Sequence, residues 1–411
     1  MKQIDLTITA QAPLAIGGRK PGSSVSEAEN YIPGTVIRGA IASKILSQAS
    51  LLNHDLSENG GDFQALFLNE QAAIFQNAYP AIYKIGETAQ VTSDPIKVLP
   101  ATAVSSKTDP GFQPQGHGVF DTLIDRFCAD AYSHPYDPSC PEDQGRVEPI
   151  GGFYSQNSRN YYSHTVDKRL LTRVGINRRR ATAEEQVLYS IEVLNETQGS
   201  NHQPTVYHSS IIVQDDSLAE QLAQFINAHP IRLGGSASRG LGKVEIEADA
   251  LDFSSNVEDR IEKFNKAIEK RWKLWGMFGD PKGDFLEGKT FFSLDLQSEA
   301  ILTEQWQRTT VISPEMLRDF ANIVDDSLTL HITYSSYDYR SGWNTAWGLM
   351  KDVDLVTNTG GVYLFSTQNP ELWYEALEKL EQKGVGDRTS EGFGQIRVCD
   401  EFHLVFRENA A

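Results

Sequence analysis

The stretch RLGGSASRGLGKVEI, residues 232–246, returns in altered form as GVGDRTSEGFGQIRV, residues 384–398. Gly234 matches Gly386, Ser238 matches Ser390, Gly240 matches Gly392 and Gly242 matches Gly394, each pair 152 positions apart. The flanks repeat too. SLAEQLAQFINAHP precedes the first loop, with Leu218, Leu222, Phe225 and Ile226 on one helical face and Ser217 and Glu220 at capping-box spacing. NPELWYEALEKLEQK precedes the second, with Asn369 suited to the cap and Pro370 to the first turn. VLYSIEVL, TVYHSSIIV and GGVYLFS read as strands ahead of these helices, and GKVEIEA as a strand after the first loop. A strand, helix, glycine loop and strand occurring twice predict an α+β chain. Its architecture is two ferredoxin-like (RRM-like) domains in tandem, each with a glycine-rich loop before its last strand.

The same order of elements excludes two nucleotide sites. A dinucleotide fingerprint sets its glycines after a strand and before a helix. A P-loop needs Gly-Lys-Ser/Thr opening a helix, whereas Gly242-Lys243 runs into Val244 of a strand. What remains is a structural loop whose glycines allow close backbone approach, or an RNA-backbone contact.

The chain of 411 residues divides naturally into two. Residues 1–255 form the first domain, opening on a strand at 3–16, with the loop-rich 90–165 as an insertion into it. Residues 256–284 are a helical connector built on VEDRIEKFNKAIEKRWKLWG, and 285–411 the second domain. Cys128, Cys140 and Cys399 are an odd set, which points to a reducing cytoplasm rather than a disulfide framework. No signal-like or membrane-spanning run is present. The net charge of −18 disfavours nonspecific binding of nucleic acid by the whole surface, so any polyanion site is a local patch.

That patch is RNYYSHTVDKRLLTRVGINRRR, residues 159–180. Arg159, Lys168, Arg169, Arg173, Arg178, Arg179 and Arg180 face the single acid Asp167, with Tyr161, Tyr162 and His164 interleaved. Cations hold phosphates and aromatic faces stack on unpaired bases. The competing readings are a solvated basic loop and a strip that docks on an acidic partner. Arg19, Lys20 and Arg38 form a second group; Arg38 falls in the second turn of a helix starting near Pro33, close to the end that attracts phosphate. Gly235, Ser238, Arg239, Gly240 and Lys243 of the first glycine loop, and Arg388 of the second, complete the RNA-binding set, through side chains and glycine amides. Asp387 and Glu391 offset Arg388, so the second loop also suits a structural or protein-facing role.

Cys128, His134 and Cys140 form a C-x5-H-x5-C set, with His117 or His164 available as a fourth ligand for a structural zinc. Irregular spacing argues against it, and a buried thiol pair with a surface histidine is the alternative. No catalytic residue is assigned. His164, near Tyr161 and Lys168 in the basic run, is the best candidate nucleus for metal-independent RNA cleavage.

Two ferredoxin-like halves with these loops resemble the RAMP superfamily of CRISPR-associated proteins. YIPGTVIRGAIA (31–42), RVGINRRRATAEEQVLYSIEVL (173–194) and SGWNTAWGLMKDVDLVTNTGGVYLF (341–365) look like that family's ordered motifs. LPATAVSSKTDPGFQPQGHGVFDTLIDRFC and EPIGGFY resemble the group-five subunit of type III-D effector complexes. The resemblance implies a noncatalytic subunit of an antiviral ribonucleoprotein that clamps the 5′ handle of the crRNA and docks on the large polymerase-like subunit. Backbone RAMP subunits and target RNA would lie nearby. A repeat-processing endoribonuclease and a protein-only scaffold are the alternatives.

Overall fold

The structure is a computed structural model. It describes residues 2–17, 27–50, 56, 61–69, 71–177, 182–253, 255–283, 286–344 and 349–411. Arg19, Lys20, Arg178, Arg179 and Arg180 lie outside the described residues.

The first half runs β1 (Lys2–Ala10), α1 (Gly34–Ser50), β2 (Ile74–Phe75), β3 (Val206–Val213), α2 (Asp216–Ala228) and β4 (Val244–Asp252). Its strands pair in the order β4-β1-β3-β2, all antiparallel. β1 alternates, burying Ile4, Leu6, Ile8 and Ala10 toward one face. Ile37 and Ile41 of α1 and Ala219, Leu222, Ala223 and Ile226 of α2 meet that face in one apolar cluster. The cap of α2 is Asp215, which accepts the Leu218 N–H at 2.7 Å, and not Ser217. Glu220 is drawn away to Lys2 at 2.6 Å, so the capping box does not close.

α3 (Val257–Trp275) leads to the second half: β5 (Thr290–Leu296), α4 (Pro314–Ala321), β6 (Thr329–Tyr334), β7 (Val362–Thr367), α5 (Pro370–Lys383) and β8 (Ile396–Val398). The order is β6-β7-β5-β8. In each half the sheet reads fourth, first, third, second strand, which is the ferredoxin-like arrangement. β5 does not alternate: every residue from Phe291 to Leu296 is buried. A strand buried on successive positions is covered on both faces. The covering residues come from α3, α4 and α5, and from a helix in the insertion, Leu123–Ala131. The insertion therefore grows out of the first half but packs one helix into the core of the second.

The rest of the insertion has a small core of its own, completed by the C-terminal Phe402 and Val405. Between that tail and β5 sits His403, fully buried, with Nε2 2.8 Å from Asp295 and Nδ1 3.1 Å from Asp121. Burial works against its charge, but the two carboxylates hold its pKa well above the ordinary histidine value.

Candidate nucleic-acid interface

The two glycine loops share one backbone course. Ser236 and Arg388 both take left-handed conformations at φ 58, and each opens a short 3-10 turn closed by Gly240 or Gly392. Gly235 donates its N–H to Ala15 and Gly242 to Pro13; Asp387 and Gly394 repeat these bonds to Ile301 and Glu299. A Cβ added at Gly234 would stand 2.6 Å from the Ala15 oxygen, and one at Gly386 2.3 Å from the Ile301 oxygen. Crowding against the neighbouring strand thus accounts for these glycines. The amides of Gly235, Gly240 and Gly242 bond within the protein, which removes them as phosphate donors and leaves the side chains.

The loops have different surroundings. The second docks on the first half: a Cβ at Gly392 would lie 2.8 Å from Asn77 Oδ1 and 3.2 Å from the Gly34 Cα at the start of α1. Arg388 is engaged by Asp354 at 3.1 Å and Glu391 at 2.6 Å. Burial would push the Glu391 carboxyl up, but Arg388, with Lys351 and Arg38, holds it below its ordinary range. Gly234 and Gly235 face this contact across a cleft of about 620 Å³, lined also by Thr35, Arg38, Arg232, Arg340 and Lys351. Arg38 rests over the Phe67 ring and donates to the Phe67 carbonyl at 2.5 Å. Arg340 bonds Glu299 from the second half and Glu29 from the first.

The first loop opens outward. Ser238, Arg239 and Lys243 are exposed. The Arg239 guanidinium lies over the Tyr189 ring, 5.5 Å from its centroid, and donates to the Tyr189 hydroxyl. Tyr189 belongs to a long ribbon, Lys168–Asn177 paired with Thr182–Leu194, in which it stands opposite Arg173. Directly opposed residues share one face of the ribbon. Arg173, Tyr189 and Arg239 thereby form an aromatic flanked by two cations, where the glycine loop meets the middle of the basic ribbon. Leu170 and Val174, 62% and 49% exposed, show that the ribbon stands out from the body.

A family model for the RAMP superfamily matches residues 7–245, more than half of the chain, from within β1 to the start of β4. The chain belongs to the RAMP superfamily. Among solved structures, this RAMP protein is similar to a chain of the Type III-B Cmr-beta complex bound to cognate target RNA and AMPPnP. The identity is 12%, with 92% of each chain covered and a TM-score of 0.40. A Cas6 product complex is 16% identical over 48% of this chain and 78% of that chain, with a TM-score of 0.29. Oligomeric Cmr4 from Pyrococcus furiosus is 11% identical over 61% and 99%, with a TM-score of 0.25. No curated protein sequence matches. Among the described residues no helix is long and apolar enough to cross a membrane.

The remaining basic-run residues of this RAMP protein are scattered. Arg159 is exposed at a hairpin turn. Tyr161 is half-buried against Phe112 at 5.6 Å and Phe402 at 5.9 Å, and its hydroxyl is pushed up to about 12 by burial. Lys168 donates to the Ala28 carbonyl, and Arg169 pairs with Glu196 at 2.8 Å. His164 is 1% exposed; its ring nitrogens reach the Ile82 carbonyl at 3.0 Å and the Ser155 hydroxyl at 2.8 Å. Burial lowers its pKa to about 4. A nuclease base needs access to its substrate, and this ring has none.

The C-x5-H-x5-C set is not assembled. Cys128 is buried in the second core, its thiol pushed up to about 12 by burial, while His134 faces the Phe278 carbonyl at 3.2 Å. Cys140 instead meets His117 and Asp143. Tyr189 and Arg232 were not singled out from the sequence. The strand alternation of VLYSIEVL was the available signal for Tyr189, but its partner on the glycine loop is visible only in the fold.

Proposed function

We propose that this chain is a noncatalytic, crRNA-binding subunit of a type III CRISPR ribonucleoprotein, with Arg173, Tyr189 and Arg239 as the centre of its RNA contact. The observation that carries the reading is the Arg239 guanidinium over the Tyr189 ring of the basic ribbon, in a chain of net charge −18. A tyrosine face accepts an unpaired base, and the flanking guanidiniums hold the phosphates on either side. The cleft behind, with Arg38 and Arg232, continues the path. Clamping of the 5′ handle, and docking on a large polymerase-like subunit beside backbone RAMP subunits, follow from the resemblance in sequence. The burial of His164 favours binding over cleavage.

Fluorescence anisotropy of the full chain with repeat-derived RNA tests this. Arg239→Glu should weaken binding and flatten the dependence of log affinity on log salt by about 1 or more. Tyr189→Ala should cost about 1–3 kcal/mol of binding with little change in that slope. Unchanged affinity in both variants would remove this surface from the interface.

A further inference from the structure

The insertion brings together three metal-competent groups that no RNA contact uses. His117, Cys140 and Asp143 each offer a ligand atom, all within 4.8 Å of one another. Two loops supply them. Cys140 and Asp143 share a tight turn in which the Gln144 N–H donates to Cys140 and the Cys140 N–H to Gly145, while His117 comes from the loop before Val119.

The local detail is that of a ligand set. His117 Nδ1 and Asp143 Oδ2 are 3.3 Å apart, yet Nδ1 is buried and makes no hydrogen bond. Two ligands about 2.0–2.1 Å from a tetrahedral zinc are separated by roughly 3.3–3.4 Å. The pair is therefore spaced as two corners of such a site. Asp143 is already positioned: Oδ2 accepts from the Thr108 hydroxyl at 2.7 Å, and Oδ1 from the Gly145 N–H at 2.8 Å. His117 Nε2, on the far side of the ring, lies 3.6 Å from Asp109 Oδ2. A carboxylate behind a ligating imidazole is the usual outer-shell partner that fixes its orientation. Cys140 is 1% exposed and its thiol donates to the His117 carbonyl at 4.0 Å, so a soft sulfur lies on the dry side of the site.

We propose that His117 Nδ1, Cys140 Sγ and Asp143 Oδ2 bind one zinc ion, with Asp109 orienting His117 and the fourth position open to water. Thiolate with imidazole selects zinc over magnesium or calcium. The ion would tie the 108–118 loop to the 139–145 loop. Both border the insertion's small core, on which the chain's last residues rest through the bond between Ala411 and Val119. A unit so short of apolar residues gains stability from a metal.

The test is zinc content of the full chain by mass spectrometry, and cobalt substitution read by the thiolate-to-cobalt charge-transfer band. One ion per chain is expected. The band should vanish in Cys140→Ser and persist in Cys128→Ala. Asp109→Asn should weaken zinc affinity about 10- to 100-fold. His117→Gln should reduce metal content like Cys140→Ser, and carries the test if the latter fails to fold. A chain that takes up no ion from stoichiometric zinc overturns the site, as does a band that survives Cys140→Ser.

Discussion

At the scale of single residues, the partners of a buried histidine decide its charge. His164 and His403 are both buried, with opposite consequences. His164 sits among neutral partners and is kept uncharged, its pKa lowered to about 4 by burial. His403 lies between Asp295 and Asp121, with the edge of Phe264 beside it, and keeps its proton. That proton is held more tightly in the folded chain than in the unfolded one. The stabilisation is therefore complete below the unfolded pKa of about 6.5 and declines as pH rises toward the folded value. The gap in Tm between the native chain and His403→Gln should be widest below pH of about 6.5 and shrink above it. A gap independent of pH would show that His403 acts by packing alone. The sequence places His164 next to Lys168 and Tyr161, but adjacency along a chain carries no information about depth. The Asp121–His403–Asp295 cluster joins residues more than a hundred positions apart, so no local pattern announces it.

At the scale of elements, the glycine loops were the most legible part. Helix, loop and strand repeat in the sequence because the same crowding repeats in the fold: Gly234 against Ala15, Gly386 against Ile301. Gly386→Ala places a Cβ 2.3 Å from a backbone oxygen at φ +80, and should cost at least about 1–2 kcal/mol in thermal unfolding. Gly240, also at positive φ but with open space around its Cβ position, should suffer less on the same change. Equal losses would mean that φ, and not crowding, selects the glycines. The ribbon was less legible. Its two strands are readable from alternation, but the pairing of Arg173 with Tyr189 depends on register and on a bulge between Val174 and Ile176. The insertion helix Leu123–Ala131 was not readable as a filler of the second core, because its partners lie in α3 and β5.

At the scale of the whole molecule, the halves are tied by the insertion helix in the second core and by polar contacts around the cleft. Arg340 engages Glu299 and Glu29, and the second glycine loop rests on α1. Arg340→Met leaves Glu299 buried without its partner. It should lower stability by no more than the roughly 3–5 kcal/mol of a fully buried pair, since the Arg340 side chain is 19% exposed. It should also speed proteolysis of the segments joining the halves; unchanged stability and proteolysis would mean that loop packing and the insertion helix hold them without this ion pair. Through the contact of Arg239 with Tyr189, the first glycine loop and the basic ribbon present a continuous surface. Crosslinking of the full chain to repeat-derived RNA, with the attached peptides identified by mass spectrometry, tests that surface most directly. Crosslinks at Tyr189 and within residues 232–243 are expected. Crosslinks confined to other surfaces, or none at all under conditions where the RNA is bound, would contradict the assignment.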